Sequence, residues 1–182
     1  MPYSTMSIAY TWGTTAAERA LAYPCDRYIG APRDELHRGV TVDASPAIVF
    51  RWLCQLRAAP YSYDWIDNFG RRSPRQLTPG LEALAPGQRV MSIFTLAEFE
   101  QDRQITVQVR RSRLFGSFAV TYMLVEQPGG ATRLLVKISS RHARGIRATI
   151  TRVVLAWGDL VMMRRQLLNL KRLAEGTASG VT

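Results

Sequence analysis

The stretch from residue 132 to residue 173 reads TRLLVKISSRHARGIRATITRVVLAWGDLVMMRRQLLNLKRL, and its pattern decides the fold class. From Thr132 to His142 apolar and polar residues alternate with a period of two, which predicts a β-strand. From about Ala148 to Leu173 apolar residues recur at helical spacing, which predicts a long amphipathic helix. A half-buried strand that leads into such a helix indicates a helix packed on an antiparallel sheet.

The two periodicities also predict which side chains face each other. We expect the strand to bury one face and expose the other; the buried face holds Leu134, Val136, Ile138, Ser140 and His142. On the helix, one arc of about 140° is expected to face the sheet. Trp157 at its centre is expected near Tyr122 and Ile138, with Gly158 allowing another segment to approach. The arc contains Ile150, Val153, Val154, Trp157, Leu160, Val161, Arg164, Leu167 and Leu168.

Upstream segments supply the remaining elements. Arg89 to Thr95, the alternating residues from Ile105 to Val109, and Phe115 to Glu126 are predicted strands, and Gly129-Gly130 is typical of a hairpin turn. A short strand is predicted over His37 to Asp43. Two helix starts follow the usual rules: Ser45-Pro46 opens a helix through an apolar stripe, and Thr15-x-x-Glu18 matches a capping box.

Length and aromatic content divide the chain. The 182 residues favour one domain, placed at 37–175, with a flexible tail at 176–182. Residues 1–36 form an extension that holds five aromatic side chains, which we expect to pack on the domain because exposing them to water would be costly.

Composition and charge limit the classes of function. The hydrophobic fraction of 47% is that of a globular protein, and no apolar run approaches the roughly 20 residues of a membrane span. Two isolated cysteines and the lack of a signal-like N-terminus predict a cytoplasmic protein with reduced thiols. The net charge of +10 is uneven: residues 1–102 sum to −1 and residues 103–182 to +11. Without a nucleic-acid-binding motif we expect no specific nucleic-acid partner, and weak contact with an anionic membrane surface stays open.

Three segments carry a resemblance to a known family. They are VTVDASPAIVFRWL (40–53), YSYDWIDNFGRRSP (61–74) and LAEFEQDRQITVQV (96–109). With the order of elements over about 36–175, they resemble the START-like, or SRPBCC, superfamily, which includes polyketide cyclase/dehydrase-type proteins and the birch pollen allergen family. The resemblance implies an α+β helix-grip fold, in which a curved antiparallel sheet wraps around the long C-terminal helix. It also implies a cavity between them, which a ligand would enter through loops near the start of the long helix and the aromatic segment.

The candidate binding residues follow from that geometry. The aromatic and acidic segment could line a pocket mouth, His142 could act as a polar anchor or proton acceptor, and Arg164 could meet a ligand carboxylate. The alternatives are core aromatics with acids paired to nearby arginines, a histidine bonded to the backbone, and an arginine that snorkels to solvent. The predicted ligand-binding set is Tyr61, Tyr63, Asp64, Trp65, Asn68, Phe94, Tyr122, His142, Trp157 and Arg164.

These observations favour a protein that binds a hydrophobic or aromatic small molecule such as a lipid, polyketide or isoprenoid. The alternative is a cyclase, dehydratase or hydrolase that works in the same cavity without a cofactor, with Tyr61, Tyr63, Asp64 or His142 as acid or base. A third hypothesis is docking of the basic half on nucleic acid or an anionic membrane. No metal site or cofactor is predicted, because the chain lacks zinc-ligand spacing and phosphate-binding glycine loops. A monomer and a homodimer both fit the sequence.

Overall fold

The architecture is taken from a computed structural model that describes residues 8–31, 33–67, 70–112, 116–141 and 146–180. Its helices are α1 (Ile8–Thr11), α2 (Ala16–Arg19), α3 (Pro46–Cys54), α4 (Asp64–Asp67) and α5 (Ile146–Ala178). Its strands are β1 (Asp34–Val42), β2 (Arg89–Val90), β3 (Phe94–Glu100), β4 (Gln104–Ser112), β5 (Gly116–Glu126) and β6 (Thr132–Arg141). Short 3₁₀ turns cover Pro24–Arg27, Gln55–Arg57 and Pro128–Gly130.

The strands form one curved antiparallel sheet in the order β1-β6-β5-β4-β3-β2, and the sheet does not close into a barrel. Helices α3 and α5 contact each other and cover the inner face of the sheet. This confirms the predicted α+β helix-grip fold. No helix in the described part of the chain combines the length and hydropathy that a bilayer crossing requires.

The core lies between the sheet and the two helices. Val136 and Tyr122 are paired neighbours on β6 and β5 and face it, and the largest fully buried side chain is Trp52 on α3. The Trp52 indole donates a hydrogen bond to the Thr177 hydroxyl over 3.0 Å, which ties α3 to the end of α5. The helix continues to Ala178, beyond the predicted end at Leu173.

The face of α5 that meets the sheet differs from the predicted one. The buried residues recur as Ala156, Leu160, Met163, Leu167, Leu170 and Ala174. Most of the predicted arc from residue 153 onward points outward, and the prediction that Trp157 lies against Tyr122 and Ile138 is wrong, because its side chain is 48% exposed. The physical reason is that α5 carries two apolar stripes, and the buried one includes two alanines whose small side chains let the helix approach the sheet closely. A side chain added at Gly158 would meet none of the described residues within 4 Å, so none of them makes the expected close approach.

The outer face of the sheet is not fully exposed to solvent, contrary to expectation. Residues Tyr23, Cys25 and Ile29 pack over Ala119 and Leu135 and form a second, smaller hydrophobic cluster. On the same face, the buried Lys137 ammonium pairs with Asp26 at 2.9 Å and Glu35 at 3.1 Å. The N-terminal extension was expected to pack on the domain, but the strand pattern does not reveal that it covers this face of the sheet.

A clamp holds this N-terminal segment on the sheet. The Thr15 and Glu18 capping box predicted for α2 is present, and the Glu18 carboxylate also accepts hydrogen bonds from Arg133 on β6 at 2.7 and 3.2 Å. Beside it, Gly13 has a φ of +73°, and a Cβ there would clash with the Gly39 carbonyl oxygen. Glycine at position 13 therefore permits both the backbone conformation and the close crossing over β1.

Changing Glu18 to Gln should reduce the loss of stability that acid causes. The hydrogen bond from Arg133 is the main reason that the pKa of Glu18 lies below its usual value of 4.5. A lowered carboxylate pKa stabilises the fold above the unfolded pKa, and that contribution is lost as pH falls through the folded pKa. Urea titrations between pH 7 and pH 3 should show the variant less stable at pH 7 and less steeply destabilised below pH 4.5. Parallel curves for the two proteins would contradict the clamp.

Two strands replace the single one predicted over Arg89 to Thr95. Met91 and Ser92 adopt φ values of 45° and 62°, in the left-handed region, so the chain breaks between β2 and β3. L-residues with side chains rarely adopt that region, and sequence alternation does not predict it. This break is one edge of the site described next.

Candidate functional site

A cleft of about 340 Å³ opens between the middle of α5 and the β3-β2 edge of the sheet. Three segments enclose it: the chain from Pro60 to α4, the connection between β2 and β3, and one turn of α5. The lining is mainly apolar, and it comprises Pro60, Ser62, Ile66, Met91, Ser92, Ile93, Phe94, Met162, Met163 and Gln166. The cleft lies beside the aromatic segment, but its α5 residues are in the middle of that helix and not at the start, where the family resemblance also implied an entrance.

The backbone around the cleft is strained. Four described non-glycine residues have positive φ, and three of them, Tyr61, Met91 and Ser92, lie in or directly beside its lining. Such conformations cost about 1–3 kcal/mol each and persist only where the surrounding structure enforces them. Strain of this kind concentrates at ligand-binding and active sites, so its location here singles out the cleft.

Gln166 connects the walls of the cleft. Its amide nitrogen donates to the Pro60 carbonyl oxygen at 2.6 Å and lies 3.3 Å from the Met91 sulfur. Its amide oxygen accepts a hydrogen bond from the Tyr122 hydroxyl at 2.8 Å. The side chain is 3% exposed, so this buried amide links the segment at Pro60, the β2–β3 connection and strand β5 to α5.

Three methionines contribute to the lining of the cleft. Met91, Met162 and Met163 come from two different walls. The thioether side chain is unbranched and polarisable, so it adapts to ligands of irregular shape. Ser62 donates a hydrogen bond to the Met162 carbonyl oxygen at 3.1 Å, which holds the Pro60–Ser62 wall against α5.

Two of the predicted binding residues are connected with this cleft: one lines it, and the other contacts a residue that lines it. Phe94 lines it and packs edge-to-face on Phe118, with ring centroids 5.2 Å apart. Tyr122 is buried behind the lining and reaches it through Gln166.

The aromatic and acidic segment is divided among several environments. Tyr61 is buried edge-to-face on Trp52, its hydroxyl has no hydrogen-bond partner among the described residues, and burial raises its pKa to about 12. The Tyr63 ring lies under the Arg165 guanidinium, 5.8 Å from its centroid. Asp64 accepts hydrogen bonds from the Ser73 hydroxyl and backbone amide at 2.5 and 3.0 Å. Trp65 is 76% exposed and does not line the cleft.

Two further predicted residues that the structure describes lie away from the cleft. Arg164 lies over the Trp12 ring, 5.8 Å from its centroid, and Trp157 is on the outer face of α5. Asn68 and His142 lie outside the described residues.

Most of the cleft-lining residues were missed by sequence reasoning. Gln166 is the most informative of them, since a glutamine bordering the buried stripe of a core helix needs internal partners. It went unnoticed because the wrong arc of α5 was assigned to the sheet. Met91 and Ser92 gave no signal, because their left-handed backbone is set by tertiary contacts.

Elsewhere in the core, Arg38 on β1 is fully buried and pairs with Asp159 on α5 at 2.7 Å. Burial raises the pKa of Asp159 to about 6, although Arg38 acts in the opposite direction. Desolvation therefore raises the pKa of the Asp159 carboxyl more than the attraction to Arg38 lowers it. Within the described ranges, no cluster of three or more metal-ligating side chains occurs.

Comparison with known proteins gives likeness at the level of structure. Neither a protein-family model nor a curated protein matches this chain. The di-domain ARO/CYC StfQ from the steffimycin biosynthetic pathway is similar, with a TM-score of 0.54 and 10% identity, over 84% of this chain and 53% of that one. Protein SA2116 of unknown function from Staphylococcus aureus has a TM-score of 0.52 and 10% identity, over 82% and 99%.

A START superfamily protein from Mycobacterium smegmatis is also similar, with a TM-score of 0.46 and 12% identity, over 81% of this chain and 99% of that one. Identities this low speak to the fold alone. The order of elements, the open six-stranded sheet and the long C-terminal helix agree with the likeness to StfQ and SA2116. The chain therefore has a helix-grip fold.

Proposed function

We propose that this protein binds a small hydrophobic molecule in the cleft between the Pro60–Ile66 segment, the β2–β3 connection and α5. The observation that carries the proposal is the coincidence of an apolar cleft with three strained backbone residues around it. Ligand sites are typically concave and apolar, with a few polar groups that orient the ligand. The START-like fold is one in which ligand binding occurs, which supports the same conclusion.

The cleft's size and chemistry indicate the class of ligand. Its volume of about 340 Å³ lies at the small end of the range for small-molecule pockets. The lining offers three thioethers, aliphatic side chains and one phenyl ring, with the Ser62 and Ser92 hydroxyls and the Gln166 amide as polar groups. A lipid chain, a polyketide or an isoprenoid fits this combination.

Binding is favoured over acid–base catalysis by the residues that line the cleft. None of the described lining residues is titratable. The acids and bases suggested by the sequence include Tyr61, whose ring packs in the core, and Asp64, which bonds Ser73. A cofactor-free enzyme would need two titratable groups that converge on the ligand.

Ile93→Asp should weaken binding of the uncharged probe N-phenyl-1-naphthylamine at least tenfold. Ile93 lines the mouth and is 63% exposed, so a carboxylate there makes the entrance polar without disturbing the core. Fluorescence titration of the wild-type protein should show saturable enhancement, and the variant should show a proportionally higher Kd.

Leu21→Asp is the matched control, since Leu21 is 42% exposed and does not line the cleft. This variant should bind the probe as the wild type does. Absence of saturable binding to the wild type, or equal weakening by both substitutions, would refute the assigned site. Native mass spectrometry of freshly purified protein would then reveal any co-purified molecule and its mass.

A further inference from the structure

The outer face of α5 carries an apolar stripe, and nothing in the described structure covers it. Val153, Trp157 and Val161 follow at intervals of four residues, while Val154 and Leu168 lie alongside them on the helix. Their exposed fractions run from 38% for Leu168 to 65% for Val154. Neighbouring apolar side chains at this exposure are a feature of interaction surfaces rather than of an ordinary solvated helix.

Arginines flank the stripe on both sides. The Arg164 guanidinium lies over the Trp12 ring on the side of α1, and the Arg165 guanidinium lies over the Tyr63 ring on the side of α4. Both arginines are exposed, as is Arg172 two turns further along. These aromatic contacts hold the two charges beside the stripe and leave their outer edges in solvent.

No carboxylate offsets these charges within the described part of the chain. The two acids of α5 are engaged elsewhere: Asp159 pairs with the buried Arg38, and Glu175 accepts from Lys171 at 2.6 Å. None of the ion pairs among described residues involves Arg164, Arg165 or Arg172. The surface is therefore both apolar and basic.

We propose that this face of α5 docks on an anionic membrane surface. Valine, leucine and tryptophan side chains enter the boundary between headgroups and acyl chains, while flanking arginines bind lipid phosphates and carboxylates. Tryptophan favours that boundary in particular. A second copy of the chain fits less well, because pairing two such faces would bring six uncompensated arginines together. Nucleic acid offers phosphates but no apolar layer for the stripe.

The docking surface is distinct from the cleft, and the proposal does not depend on the proposed ligand. Trp157 and Val161 do not line the cleft, and Ile93 is not part of the stripe. The vesicle experiment can therefore contradict membrane docking without contradicting ligand binding in the cleft, and the probe titration can do the reverse.

The test is sedimentation with vesicles of phosphatidylcholine alone or with 30% phosphatidylserine. The wild-type protein should bind the anionic vesicles at least tenfold more tightly. Trp157→Ser/Val161→Ser should weaken that binding about tenfold or more, because apolar area no longer enters the boundary. Arg164→Gln/Arg165→Gln should weaken it about tenfold at low salt, by loss of two charges at the surface.

Arg75→Gln/Arg89→Gln is the matched control, since it also removes two exposed arginines but leaves α5 unchanged. It should retain most of the binding, and all variants should melt like the wild type because the substituted residues are exposed. Equal weakening by both arginine pairs, with no effect of the Trp157 and Val161 changes, would reduce the contact to general charge attraction and overturn the proposal. A wild-type dimer in sedimentation velocity that Trp157→Ser/Val161→Ser converts to monomer would assign the stripe to self-association instead. Absence of vesicle binding would also overturn it.

Discussion

Asp159→Leu should lower the free energy of unfolding by about 3–5 kcal/mol, because it leaves the buried Arg38 guanidinium without its carboxylate. Arg38 is 0% exposed, and its remaining hydrogen bonds go to the His37 carbonyl at 2.9 Å and, weakly, to the Ala156 carbonyl at 3.5 Å. Its Nε atom is buried without any partner among the described residues. Urea denaturation followed by circular dichroism would measure the loss.

The paired substitution Arg38→Met/Asp159→Leu should recover this loss and equal or exceed the wild-type stability, by up to about 4 kcal/mol. Two apolar side chains of similar size remove both desolvation penalties at once. The raised pKa of Asp159 agrees with this expectation, because desolvation raises the pKa of this carboxyl more than Arg38 lowers it, although the side chain is 24% exposed. A double variant that is less stable than the wild type would mean that the ion pair stabilises the fold.

This pair also marks a limit of what the sequence predicts. The polar side chains of HRGVTVD were expected in a short strand, and β1 does form there, from Asp34 to Val42. The partner of Arg38 is 121 positions away on α5, and no local pattern links the two residues. Element order could be predicted because periodicity is local, whereas a buried ion pair depends on how two distant elements meet.

The face of α5 shows the same limit more sharply. The arc centred on Trp157 has the larger side chains, and a choice by hydrophobicity alone assigned it to the core. The structure instead buries the stripe with Ala156 and Ala174, because close packing against a curved sheet depends on fit as well as on hydrophobicity. An apolar helix face left outside in this way is the observation on which membrane docking rests.

The sequence pointed to a segment that adjoins the candidate site, but to few of the residues that line it. The aromatic segment does adjoin the cleft, through Pro60, Ser62 and Ile66, and Phe94 lines it. The large side chains that attracted attention, Tyr61 and Trp65, are respectively buried beneath the lining and exposed beyond it. Short-range pattern places a segment near a site, but the rotation of each side chain is set by its neighbours in the fold.

Gln166→Leu should lower the free energy of unfolding by about 2–6 kcal/mol, because two buried groups lose their partners at about 1–3 kcal/mol each. Leucine is close to glutamine in size, so the lost hydrogen bonds account for most of the change. The groups left unpaired are the Tyr122 hydroxyl, 2.8 Å from the amide oxygen, and the Pro60 carbonyl, 2.6 Å from the amide nitrogen. Urea denaturation would again give the magnitude.

The double variant Tyr122→Phe/Gln166→Leu separates the two contributions. It removes the orphaned hydroxyl and should recover roughly half of the loss, while the Pro60 carbonyl stays unpaired. Because Gln166 ties both rims to α5, hydrogen exchange in Gln166→Leu should accelerate first over residues 60–66 and 91–93 and much less in β5 and β6. Uniform acceleration over all these segments would show that Gln166 stabilises the fold as a whole and has no special part in holding the cleft together.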